Sequence, residues 1–434
     1  MNTAPAMQPS HSVSIQDPVG ASPVVDPRNG FVYLTGNNGV LNQFQPDLTQ
    51  RLRDHRHRVP ANWVGSTPAV DAAGNIYATF GDPGTPYMNT TLVSYTPLLN
   101  KRWAYAPPPK ALIGTTEEIQ GFLLGSPKIW SQGGTTLIFL VVCYGSSAER
   151  DSYVLVLDDS GAQQAPFASI AHLVFVDLHG GGGSKRGAQK MRRASQDRGS
   201  VGSGTMGTSD SGSVTISDVP LENSAMPDPS PCIYQDGEGP TRPVVVATDG
   251  VEWIAALRYI PGAELTSIWG PGGDYYGYNI GIGSITSSPA VFLNGWLAFG
   301  AYDRYVDLVD DPANGGWDDV GGRHKGKLVD IGSRVSATPA SFLRQMYVVE
   351  RAGGLSMFDS NGLLVKSVNL GFPGGESVAS PLVSGSFVHV AAADGIYTFD
   401  LLLNKQVAHF AVDSHDGMGV SSLAAGPDGT LYEC

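Results

Sequence analysis

The chain predicts an all-β fold, an eight-bladed β-propeller with an incomplete last blade; seven blades is the alternative count. Three observations carry this expectation. A Ser-Pro or Thr-Pro pair recurs at Ser22-Pro23, Thr67-Pro68, Ser126-Pro127, Ser230-Pro231, Ser288-Pro289, Thr338-Pro339 and Ser380-Pro381, and Ser422-Leu423 stands where an eighth is due. Successive prolines lie 42 to 59 residues apart except for one gap of 104 between Pro127 and Pro231. That period, filled with β-formers and turn residues and without a helical pattern, belongs to blades arranged around an axis.

Each repeat reads as four strands, A to D. In the second, strand A runs from Pro68 to Val70, and Asp71, Gly74 and Asn75 supply a tight turn into strand B, Ile76 to Phe80. Strand C runs from Thr91 to Tyr95, and the "PLLN" turn leads into strand D, Lys101 to Ala106. Alternation is imperfect in "NIYATF" and "GLSMF", as expected of strands packed on both faces. The eighth repeat offers only "VSSLAAGPDGTLYEC", two strands, and the N-terminal "HSVSI" is expected to complete its outer edge.

These repeats resemble the pyrroloquinoline-quinone-type propeller family, whose blades run as Ser-Pro, a strand, Gly-x-Val-Tyr, then Asp-Gly-x-Leu-Tyr-x-Leu-Asp, Thr-Gly and a Trp. "NNGVLNQFQPDLTQ", "LDDSGAQQ", "FDSNGLLVK" and "FDLLLNKQVAHF" have that form, and the blade-docking Trp is matched at Trp103 and Trp269. The resemblance points to the branch of non-catalytic assembly scaffolds. A quinone-dependent dehydrogenase of the family would be expected to carry adjacent cysteines, a Trp floor and calcium ligands, and the three cysteines here, Cys143, Cys232 and Cys434, include no adjacent pair. No cofactor is therefore expected, with pyrroloquinoline quinone plus calcium as the alternative.

Composition narrows the partners. With 27 Lys and Arg against 40 Asp and Glu, the net charge of −13 argues against nucleic acid, whose phosphates call for a basic surface. No run approaches the roughly 18 apolar residues of a membrane span. The N-terminal run has neither a basic start nor an apolar core, so an intracellular location is the default expectation and export with the leader already removed the alternative. A single domain over residues 1–434, monomeric, is expected, because a propeller grows by adding blades.

The insertions fall on one side. A–B and C–D links are minimal, whereas the long segments are D–A (Pro107 to Phe122, Gly270 to Gly283, Val320 to Arg334) and B–C ("GDPGTPYMN", "GSSAERDS"). Function rides on loops held by a rigid scaffold, so the B–C/D–A face is the expected working face, for a protein or peptide partner or a small ligand. The candidate binding residues on it are Tyr275, Tyr276 and Tyr278, with Tyr302 and Arg304 in a neighbouring loop. Residues 179–225, glycine- and serine-rich with Lys185, Arg186, Lys190, Arg192, Arg193 and Arg198 against Asp197, read as a flexible insert, and "RRAS" offers Ser195 as a phosphorylation site. No catalytic or metal site emerges. His55 and His57 are crowded by Arg51, Arg53, Arg56 and Arg58, Asp413, His415 and Asp416 read as a solvated loop, and the acidic run of Asp303, Asp307, Asp310, Asp311, Asp318 and Asp319, alternating with Val306, Leu308 and Val309, reads as a strand with its polar face outward.

Overall fold

In the computed structural model the described residues are 13, 21–36, 39–49, 51–56, 64–81, 90–111, 118–145, 150–164, 168–171, 230–234, 243–248, 254–260, 265–269, 287–291, 296–300, 305–309, 326–333, 335, 337–370, 379–392, 394–411 and 421–433. Among them the regular structure is entirely β, and every strand pair is antiparallel. Strands follow one another in chain order. Six sheets have four strands, one has five, and the C-terminal sheet has two, Ala424–Ala425 and Leu431–Tyr432. They are called the first to eighth sheets below.

In the second sheet, strand B is Ile76–Gly81, strand C Thr91–Tyr95 and strand D Lys101–Tyr105, within a residue of the expectation. The fully buried B and C strands explain the broken alternation: Val244–Thr248 is buried at every position because both of its faces are packed. Outer D strands such as Gln406–Ala411 keep a half-exposed pattern. The expected D–A stretches are corrected at two places. Between the second and third sheets, Lys110–Ala111 and Glu118–Ile119 form a separate small hairpin. In the fifth sheet, Gly326–Asp330 is strand D itself, so the long connection before it lies between C and D.

Each Ser/Thr anchor does a defined job. The Ser126 N–H donates to Ser230 Oγ at 2.9 Å, Ser230 N–H to Ser288 Oγ at 2.8 Å, Thr338 N–H to Ser380 Oγ at 2.9 Å, and Ser380 N–H to Ser422 Oγ at 2.9 Å. Ser22 N–H donates to Thr67 Oγ1 at 3.1 Å, and Ser422 N–H to Ser22 Oγ at 2.9 Å. The hydroxyl is what the motif needs, because it accepts the N–H of the preceding repeat. The following residue is free to vary, which is why Ser422-Leu423 functions without proline.

The apolar core is divided into eight clusters, each spanning two sheets. Seven join consecutive sheets, and the eighth joins Tyr432 of the last sheet to Val32, Leu34 and Phe44 of the first, with Val13 against them. Val13 is the single described residue of the expected N-terminal strand.

Docking within these seams takes two forms. Where a tryptophan of one sheet lies over the C–D turn of the next, that turn carries glycine: Trp103 packs on Gly161, where an added Cβ would come within 2.9 Å of the indole, and Trp103 Nε1 donates to Asp159 O at 2.8 Å. Trp296 and Leu308 occupy the same place over Gly362. Elsewhere the turn carries a leucine with positive φ, Leu48 (56°), Leu99 (58°) or Leu403 (52°), whose side chain fills the seam. A left-handed leucine costs about 1–2 kcal/mol. Burial of its side chain, worth about 1.5–3 kcal/mol, offsets that. Leucine thus fills these seams where the resemblance led one to expect a docking Trp; Trp103 has the expected role, and the side chain of Trp269 lies outside the described set.

Candidate functional site

Two faces are distinguished by their connections. The A–B and C–D links share one side, where the described turns are short and built for cohesion and the fifth sheet's C–D connection, residues 310–325, is the long exception. Tyr77, on strand B of the second sheet, donates to Asp159 Oδ1 at 2.5 Å in the C–D turn of the third, and Arg102 grips the same carboxylate at 2.7 and 2.8 Å. The Arg102 hydrogen bonds hold the Asp159 carboxyl below its usual range, while burial pushes the Tyr77 phenol up. Tyr347 OH donates to Leu401 O at 2.7 Å across the sixth and seventh sheets, and Tyr432 OH to Pro46 O at 2.5 Å across the eighth and first. These are the same latch, repeated: a strand-B tyrosine reaching the next sheet's C–D turn.

The opposite side, with the B–C and D–A connections, carries the small hairpin. Lys110, on its first strand, reaches over the ends of strands B and C of the third sheet. Its ammonium contacts the Tyr153 hydroxyl, lies 4.0 Å from the centre of that ring and 5.6 Å from that of Tyr144, and is 3.6 Å from Asp151 Oδ2. Tyr144 and Tyr153 meet edge to face at 6.0 Å, and Tyr144 OH donates to Pro108 O at 3.0 Å. Burial pushes the Tyr144 phenol up to about 12 and raises that of Tyr153 further, so both remain protonated donors at neutral pH. Such a cation–aromatic contact contributes about 0.5–2 kcal/mol. Chemically the cluster positions a loop and presents one partly exposed ammonium.

Other polar groups lie within the sheets and their turns. Glu350, in the sixth sheet's B–C turn, is buried and accepts from Ser356 Oγ at 3.2 Å; burial raises its pKa. Lys128, on the third sheet's inner strand, is open to water yet hemmed in by protein, and desolvation lowers its pKa. Its neighbour Cys232 has a thiol raised to about 11 by burial, which leaves it protonated and unreactive at neutral pH. Cys143 is fully buried, 3.4 Å from Ser152 Oγ. Among the described residues no group of three or more His, Cys, Asp or Glu could hold a metal ion.

The sequence-nominated positions fall elsewhere. Tyr275, Tyr276 and Tyr278 belong to the D–A connection between strand Leu265–Trp269 and strand Ala290–Val291, and Tyr302 and Arg304 to the B–C connection between Leu297–Gly300 and Tyr305–Val309. All five, with Ser195 and the insert 179–225, lie outside the described residues, as do His57, Asp413, His415 and Asp416. Val306 and Leu308 are buried, as expected for the inward face of the acidic strand. Sequence reasoning missed Lys110, Tyr144, Asp151 and Tyr153, since nothing local to "PPPKAL" or "CYG" announces their meeting. It did place Lys110 within an insertion on the right side.

No family model and no curated protein matches this chain. Among solved structures it is similar to the computationally designed Ika8 protein, at 13% identity and a TM-score of 0.50 over 96% of each chain. It is also similar to BamB from Moraxella catarrhalis, at 12% identity and a TM-score of 0.48 over 95% of this chain and 93% of that one. At these identities the likeness to Ika8 is one of fold, and it runs from end to end. No helix among the described residues is long and apolar enough to cross a membrane.

Proposed function

We propose that the chain is one closed, eight-bladed propeller acting as a non-catalytic binding or assembly scaffold, with the B–C/D–A face receiving a protein or peptide partner. Closure is supported by the Ser422–Ser22 and Tyr432–Pro46 hydrogen bonds and by the shared cluster of Tyr432, Val32, Phe44 and Val13, which repeat what joins the other sheets. Val13, the one described residue of the run expected to complete the last blade, packs in that cluster.

The observation that carries the functional reading is the hairpin Lys110–Ala111/Glu118–Ile119. It adds nothing to the repeat and closes no seam, yet Lys110 on Tyr153 and the Tyr144 hydroxyl on Pro108 O fasten it to the third sheet. A dedicated appendage fixed on the loop-rich face is what presentation to a partner requires. Tyr275, Tyr276, Tyr278, Tyr302 and Arg304 are its proposed companions in contact, and Ser195 a proposed phosphorylation site in the insert.

A photo-cross-linking residue at exposed Glu118 is expected to capture a discrete protein from host extract, and Lys110→Ala is expected to abolish the adduct. In parallel, a thermal-shift panel with pyrroloquinoline quinone plus calcium, and with glycans, is expected to be silent. Stabilisation by the first pair would establish a quinoprotein enzyme instead, and by glycans a carbohydrate-binding propeller.

A further inference from the structure

Among the described residues every large, exposed apolar side chain lies on the short-turn side, opposite the hairpin: Leu98, Leu343, Leu363, Leu364, Val365 and Leu402, each 43 to 66% exposed. Five of the six belong to two neighbouring sheets. Leu343 is in the sixth sheet's A–B turn, Leu363 to Val365 lead from its C–D turn into strand D, and Leu402 is in the C–D turn of the seventh. Lys366 Nζ donates to Asn404 Oδ1 at 2.9 Å, tying these turns together. Alternate turns of one sheet and matching turns of stacked sheets lie about 10 Å apart, so the leucines make one patch.

Leu343 shows that the patch is not left over from folding. It is the first residue of a two-residue hairpin loop, between paired Phe342 and Gln345, with a φ of 53°. The same position is Gly133 in the third sheet and Gly385 in the seventh, both with positive φ and open space around them. Glycine is the residue this turn favours. Leu48, Leu99 and Leu403 offset the same strain by burying their side chains; Leu343 is 66% exposed and gains nothing from the fold.

Three cations stand at the patch beside two carboxylates, a more basic balance than that of the whole protein. The chain carries −13, but the cations at this rim are Arg344, Lys366 and Lys405, none in an ion pair. The two carboxylates are fixed in their turns: Asp359 Oδ1 accepts the N–H groups of Asn361 and Leu363, and Asp400 Oδ1 those of Leu402 and Asn404. A second copy paired through this same patch would set these cations against one another, a poor match, whereas an acidic segment is a good one.

We infer that the short-turn side of the sixth and seventh sheets is a second docking surface, whose occupant is an extended acidic segment of a partner protein with leucine- or valine-type residues among its carboxylates. The site is independent of the hairpin face. Its test uses the full chain and a short fluorescein-labelled peptide alternating Leu or Val with Asp or Glu, alongside a counterpart with Lys at every acidic position. The acidic peptide is expected to bind by fluorescence anisotropy and the basic one not. Leu343→Gly combined with Leu402→Ser is expected to weaken binding roughly tenfold or more. Leu343→Gly alone is expected to leave the melting temperature equal to or above that of the parent, which separates lost contact from lost fold. Arg344→Glu with Lys405→Glu is expected to weaken binding most at low salt. Equal binding of both peptides, no binding of the acidic one, or full binding by the Leu343/Leu402 variant would overturn the inference. So would a dimer in sedimentation that this variant dissolves, since the occupant would then be a second copy.

Discussion

Leu403 allows the seam between the sixth and seventh sheets to be tested by an inverted order of substitutions. Its φ of 52° is strained for leucine, yet its side chain is 2% exposed and lies in the cluster with Tyr347, Val349, Val390 and Phe399. Removing a buried leucine side chain costs about 2–5 kcal/mol. Leu403→Ala loses that contact and keeps the left-handed strain. Leu403→Gly loses the same contact but relieves about 1–2 kcal/mol of strain, offset in part by the greater freedom of glycine in the unfolded chain, about 0.4–1 kcal/mol. The expected net loss is thus about 2–5 kcal/mol for alanine and about 1–4 kcal/mol for glycine, with glycine the milder by several tenths to about 1 kcal/mol. At an ordinary strand position the order would be reversed. Equilibrium urea unfolding, with the m-value checked for constancy, measures both. An alanine variant as stable as the glycine one or more so, or a glycine variant within about 0.5 kcal/mol of the parent, would refute the idea that burial holds this leucine in a strained turn.

The complementary seam predicts the opposite sensitivity: Gly161→Ala, at φ 84° and 2.9 Å from Trp103, is expected to destabilise by about 2–4 kcal/mol, and pairing it with Trp103→Leu is expected to recover part of the loss, as a double-mutant cycle in urea would report. Tyr432→Phe removes the hydrogen bond to Pro46 O between last and first sheets and is expected to cost about 0.5–1.5 kcal/mol, with faster amide exchange at both chain ends; exchange unchanged there would count against closure. His389 is buried beside Thr398 Oγ1 at 2.9 Å, and burial lowers its pKa from 6.5 to about 4. The unfolded chain therefore takes up this proton first, so stability is full above about pH 6.5 and falls as the pH drops toward 4, by about 1–2 kcal/mol between pH 7 and pH 5. His389→Gln is expected to flatten that part of the stability–pH curve in a denaturant series, and an unchanged slope would rule His389 out as its source.

What the sequence by itself determined is everything set by near neighbours. Alternation, turn residues and the Ser/Thr-Pro period specify the antiparallel sheets, their order and most strand limits, because a strand and its tight turn are decided within a few residues. They also placed the hairpin of Lys110 among the insertions on one side. Only the tertiary structure decided how sheets meet. Ser22 and Ser422 are 400 residues apart, and that their hydroxyl and N–H groups pair cannot be read from either repeat. A docking Trp is matched in sequence only at Trp103 and Trp269, and Leu48, Leu99 and Leu403 fill other seams from left-handed turns that no propensity scale assigns to leucine. Lys110 finds Tyr144, Tyr153 and Asp151 from 34 to 43 residues away. Exposure of Leu343 and Leu402 likewise depends on which turns face water. Local geometry follows from local sequence; side-chain strain, pairing and exposure follow from residues brought together by the fold, and their cost is balanced only there.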